Sequence, residues 1–190
     1  MAIKIFIDQG HNPENPNAGA EGNGYREQDL VYRIGVLFAQ MLNANPNFEA
    51  ALSRNSPTEN LGISTASSLA ARVNAAKASG ADYFISLHAN ASENPTASGT
   101  EGLVYQIPGE SANFAERLVE GVVNATGLPD NGVTARPSLY VLRRTPMPAV
   151  LMELAYITTP YDAYLLAEQP DLFAQGLYQG ILSYFGLQEA

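Results

Sequence analysis

Residues 67–88 read SSLAARVNAAKASGADYFISLH. The first thirteen form a helix, and Gly80 ends it, because glycine takes the left-handed conformation that closes a helix. Residues 83–88 (YFISLH) are short, apolar and rich in β-formers, as in a buried strand. A helix that gives way to a strand within a few residues is the unit of an α/β chain.

The same alternation extends outward in both directions. Upstream, residues 3–8 (IKIFID) read as a buried strand, and residues 8–25, rich in Gly, Asn and Pro, as a long functional loop. Residues 27–42 carry Leu30, Ile34, Leu37, Phe38 and Met41 on one helical stripe. Residues 48–54 read as a second strand and 55–64 as a polar loop. Downstream, the pattern predicts a polar loop over 90–100, a strand over 102–107 and a helix over 111–126 closed by Gly127. Two more strands are expected over 139–142 and 149–154, then helices over 160–167 and 170–185, each opened by a proline. The expectation is one α/β domain over residues 1–190. Its six-stranded, mostly parallel or mixed sheet should carry helices on both faces.

Composition narrows the function classes. The 190 residues carry a formal charge of −9, which excludes the basic footprint of a nucleic-acid binder. There is no cysteine, so disulfides, thiolate metal sites and a cysteine nucleophile are excluded. No apolar run approaches twenty residues, so no membrane insertion is expected. No export signal is read at the start, which leaves an excised domain or release by lysis or a separate pore. The loop after the first strand lacks G-x-G-x-x-G, and no Walker-type lysine is present.

The only two histidines are His11, in IDQGHN, and His88, in SLHAN. Each follows an apolar β-type run, at the strand end where ligands of such sheets bind. Two histidines and one carboxylate, with a fourth position left for water, are a common hydrolytic zinc set. Glu27, at the start of the first helix, suits the carboxylate; a first-turn glutamate favoured by the helix dipole is the bland alternative. Glu153 lies inside the apolar strand VLMELAY, so it is either a buried ion-pair partner or catalytic.

These segments, taken in order, resemble the zinc-dependent N-acetylmuramoyl-L-alanine amidases of the type-3 amidase family. The resemblance runs through IFIDQGHN, AGAEGNGYREQDL, LSR at 52–54, AARVNAAKASGADYFISLHAN, GTEGLVYQ and LYVLRRTPMPAVLMELAYITTPYDAYLL. Gln9 stands where the family usually has Pro, Val73 separates Arg72 from Asn74, and Thr159 stands where Asn is frequent. The resemblance implies one zinc per chain on His11, Glu27 and His88, with Glu153 as acid and base. It implies peptidoglycan as the partner, cleaved between N-acetylmuramic acid and L-alanine at the bacterial cell wall. A monomer is favoured.

Asp8, Ser86 and Asn90 lie near the ligands in sequence and either orient them or cap turns. Asn90, Arg136 and Arg143 are candidate substrate contacts, the arginines for stem-peptide carboxylates, with solvated surface charge as the alternative. Tyr105 and Tyr140 either line the groove or pack in the core. Two other readings stand beside the amidase: another zinc exopeptidase, and a catalytically inert wall-binding module.

Overall fold

The computed structural model describes residues 2–188. The chain begins with strand β1 (Ile3–Gln9), followed by a loop holding a small antiparallel hairpin, β2 (Glu21–Gly22) and β3 (Tyr25–Arg26). Helix α1 (Glu27–Ala44), strand β4 (Phe48–Leu52), helix α2 (Thr65–Ser79) and strand β5 (Tyr83–Asn90) follow. Then come β6 (Thr100–Val104), α3 (Glu110–Thr126), β7 (Asp130–Ala135), the short α4 (Tyr140–Arg144) and β8 (Ala149–Tyr156). Helices α5 (Pro160–Glu168) and α6 (Pro170–Phe185) end the fold.

Six strands form one sheet in the order β4-β1-β5-β8-β6-β7. β4, β1, β5 and β8 run parallel; β6 is antiparallel to β8, and β7 is parallel to β6. The mixed sheet with helices on both faces agrees with the sequence expectation. Helices α1, α3, α5 and α6 cover one face with the larger apolar core, including Phe38, Phe114, Phe173 and Leu177. Helices α2 and α4 cover the other with a smaller cluster around Phe6, Phe84, Val141 and Leu151. α3 and α6 approach so closely that a Cβ on Gly121 would run into the backbone of Gly176 and Gly180.

One expected strand is corrected. Leu139 is the N-cap of α4 and residues 140–142 are its first turn, where Arg143 N donates to Leu139 O at 3.0 Å. An apolar run of four residues has no periodicity that separates strand from short helix. The sixth strand is β7, whose Asp-Asn-Gly start reads as a turn. Gly132 there adopts φ 75, and the β6–β7 register shifts beside it. The remaining elements lie where the alternation predicts them, within a few residues. Ser64, outside the expected second helix, caps α2 reciprocally with Ser67. No helix among the described residues is long and apolar enough to cross a membrane.

Candidate metal centre and carboxylate site

β1 carries the chain to the carboxyl end of the sheet and delivers His11 two residues later. His11 has φ 65, a left-handed conformation that costs a non-glycine residue roughly 1–2 kcal/mol. Arg72 of α2 holds this turn. Its guanidinium donates to the carbonyls of Gln9 and His11, to Asn12 Oδ1, and to Asp8 Oδ1 at 2.6 Å. The other oxygen of Asp8 accepts the Ser86 hydroxyl at 2.7 Å. Arg72, Asp8 and Ser86 are all buried. Burial alone would raise the Asp8 carboxyl, but Arg72 and the Ser86 hydroxyl outweigh it and hold the group below its usual range.

Glu27 opens α1, and the preceding loop folds back onto it. Its backbone N–H donates to Ala20 O, and its Oε2 accepts from Ala20 N at 2.8 Å. Its Oε1 accepts from Ala89 N at 3.0 Å and lies 2.9 Å from His88 Nδ1 and 3.1 Å from His11 Nε2. One ligand atom from each of His11, Glu27 and His88 can be chosen so that all lie within 4.8 Å of one another. Burial would raise the Glu27 carboxyl, but hydrogen bonds from both imidazoles hold it far below the usual range. For His88 the burial that would lower its pKa is outweighed by Glu27, which raises it.

Two nitrogens and a carboxylate oxygen, with Glu27 buried and both histidines partly exposed, are a donor set suited to zinc. Close backbone approach makes the cluster possible. A Cβ on Gly10 would stand 2.6 Å from His88 Nε2, and one on Gly19 would stand 2.7 Å from Glu27 Oε2.

Glu153 of β8 pairs in register with His88 of β5 on one side and Glu101 of β6 on the other. Alternation along the strands puts these three side chains in one row on the face shared with α2 and α4. Glu153 Oε2 is buried without a hydrogen-bond partner. Burial pushes its carboxyl up to about 7; the charge of His88 opposes this, and those of Glu27 and Glu101 add to it. Among the described residues no cation pairs with Glu153, and a carboxyl with a pKa near neutrality can exchange protons at physiological pH.

The other sequence candidates fall in different places. Asp8 and Ser86 build the polar hub beneath His11. Asn90 is half-buried at the end of β5, and its Oδ1 accepts from Ala91 N, a turn role. Arg136 follows the end of β7, at the level of Val104 and Val150. That is three residues down the sheet from Glu153, about 10 Å. Arg143 lines a separate cavity with Tyr105 and Thr145. Neither arginine lines the cavity that contains His11 and His88; Tyr140 does.

Two buried charged groups lie outside the candidate site residues that the sequence names. Leu69, Arg72, Val73 and Ala76 share one helical stripe, which is a signal for the burial of Arg72. Asp162 is fully buried and accepts from Ser98 Oγ, Gly99 N and Tyr156 N, which ties the start of β6 to the exit of β8. Its position in the first turn of a helix looks like ordinary capping.

A family model described as N-acetylmuramoyl-L-alanine amidase matches residues 5–183. The chain is 35% identical over 186 residues to N-acetylmuramoyl-L-alanine amidase LytC of Bacillus subtilis, covering 95% of this chain and 35% of that protein. It is 32% identical to N-acetylmuramoyl-L-alanine amidase CwlM of Bacillus licheniformis, covering 98% of this chain and 70% of the relative. Among solved structures, the N-acetylmuramoyl-L-alanine amidase of Clostridium difficile 630 superposes with a TM-score of 0.85 at 30% identity, covering 99% of each chain. The chain thus spans about a third of LytC but the whole of a solved amidase fold. With the match running almost end to end, this chain belongs to the N-acetylmuramoyl-L-alanine amidase family.

Proposed function

We propose that residues 1–190 form a zinc amidase catalytic domain acting on bacterial cell-wall peptidoglycan. It hydrolyses the amide between the lactyl group of N-acetylmuramic acid and L-alanine of the stem peptide. The observation that carries this reading is the meeting of His11, Glu27 and His88 at one point, with Glu153 beside His88 in the sheet, in a chain of this family.

His11, Glu27 and His88 hold the metal, one zinc per chain. Zinc, when bound, supplies the Lewis acidity that lowers the pKa of water to roughly 7 and polarises an amide carbonyl. Glu153 accepts a proton as water adds to the carbonyl carbon, then returns it to the departing alanine nitrogen. The C–N bond breaks, leaving a muramic acid carboxylate and a free amine. Arg72 and Asp8 act through His11 and are positioning residues. The absence of a cysteine, and the use of both histidines as ligands, argues for direct attack by water without a covalent enzyme intermediate.

The test combines metal content, product and one variant. The protein should hold one zinc; chelation should abolish activity and zinc should restore it. Digested peptidoglycan should yield intact glycan and stem peptides with a new L-alanine amino terminus. Glu153→Gln should keep its zinc while turnover falls about 10²–10⁴-fold, the usual worth of general acid–base catalysis. Full activity in a metal-free protein would refute the zinc reading. Cleavage of plain peptides in preference to muropeptides would favour the exopeptidase, and binding without turnover the inert wall module.

A further inference from the structure

A cavity of about 130 Å³ lies beside the metal centre, between α2, α4 and the sheet. His11, His88 and Asn17 border it, and Leu69, Leu139, Tyr140, Val141 and Leu151 give it a mainly apolar lining. Asp8 and Arg72 also line it, already engaged with each other and with the turn at His11. A space walled this way rejects charged and sugar groups, whose desolvation would go uncompensated, and accepts small hydrocarbon groups. Leu69, Leu139 and Tyr140 are only partly buried, so the cavity communicates with the surface.

We propose that this cavity is the subsite for the lactyl methyl group on the acyl side of the scissile amide, a reading that rests on the amidase function above. The substrate offers a methyl on either side of that bond, one on the lactyl carbon and one on alanine. The position of Glu153 chooses between them. Glu153 returns a proton to the leaving nitrogen, so that nitrogen faces β8. Glu153 does not line the cavity; His11 and His88 do. With the nitrogen over β8, the acyl substituent extends the other way, past the histidines and toward α2 and α4. Leu151, two residues before Glu153 on the same face of β8, lines the cavity beside the histidines. The space exceeds a methyl group; a cavity near 150 Å³ takes benzene, so an ethyl group in the same position also fits.

The test uses the zinc-loaded protein and synthetic N-acetylmuramoyl-L-alanyl peptides. One series replaces the lactyl group by glycolyl, which lacks the methyl, or by 2-hydroxybutyryl, which extends it. Another replaces L-alanine by glycine. Lactyl should exceed glycolyl in kcat/KM by about 10–200-fold, the worth of a carbon in an apolar pocket. The 2-hydroxybutyryl substrate should fall within about tenfold of lactyl. Leu69→Ala and Leu139→Ala should shrink the lactyl-to-glycolyl ratio several-fold and leave the alanine-to-glycine ratio as in the parent. Independently of turnover, the lactyl methyl of bound N-acetylmuramic acid should give nuclear Overhauser contacts to the methyls of Leu69, Leu139 and Leu151. This needs no variant. A lactyl-to-glycolyl ratio that neither variant moves, a shift in the alanine ratio instead, or contacts elsewhere would overturn the subsite while leaving the amidase intact. A parent protein that cleaves none of these amides would overturn the function and the subsite together.

Discussion

The two faces of the sheet are built differently. Against α1, α3, α5 and α6 lies the larger apolar core, rich in phenylalanines and leucines. Against α2 and α4 nine hydrophobic residues are buried among the described residues, and beside them lie Asp8, Ser53, Arg72 and Ser86. The first face is where stability arises. The second spends burial on polar groups that must be satisfied, and the candidate metal centre sits at its edge. Damage to one face should lower stability alone; damage to the other should reach the metal as well.

The largest effect is expected at Arg72. Arg72→Met keeps much of the volume but leaves Asp8 buried without its cation, a change that costs about 3–5 kcal/mol. It also releases the left-handed turn at His11, so zinc affinity should fall in whatever protein remains folded. Chemical denaturation and zinc titration of the same sample measure both. A variant that loses stability and binds zinc as the parent does would break the proposed link between hub and centre.

On the opposite face, Leu177→Ala removes a fully buried side chain of α6. It should cost about 2–5 kcal/mol, toward the lower end if α6 settles into the space. Zinc content and turnover per folded molecule should match the parent. A fall in either, measured below the unfolding transition, would show that the two faces are coupled.

The smallest effect concerns Glu153 and sharpens the comparison, because it predicts a gain. In the metal-free protein its carboxyl is raised from 4.5 to about 7. A raised acid contributes stability that is fully present below pH 4.5 and is lost as pH rises through about 7. Glu153→Gln removes that loss. At pH 8 the metal-free variant should therefore be more stable than the metal-free parent by about 1–3 kcal/mol, while at pH 4 the two should agree. Melting temperatures at both pH values decide it; equal stability at pH 8 would mean that Glu153 ionises freely.

The candidate ligands were legible because the sequence is sparing. Two histidines, each after an apolar run, leave few ways to build a metal site, and an acid inside VLMELAY is hard to explain by packing. The arginines were harder to place, for one topological reason. β6 runs opposite to β8, so residues after β6 and β7 emerge at the end of the sheet away from Glu153. Strand order in sequence does not encode strand direction, and Arg136 and Arg143 therefore looked nearer to the chemistry than they are. Residues 139–142 read as a strand because four apolar residues carry no periodicity; they are the N-cap and first turn of α4, and Leu139 and Tyr140 line the cavity.

Gly10 and Gly19 bring out a different kind of information. Neither bears a group that can bind, donate or accept through a side chain, yet each stands where one added carbon would collide with a candidate ligand. In a survey of every possible substitution along the chain, these two positions would be as intolerant as the histidines. A search for chemistry among residue types would pass over them. Part of this centre is recorded as empty space, and anyone transplanting it to another scaffold would have to copy the vacancies along with the ligands.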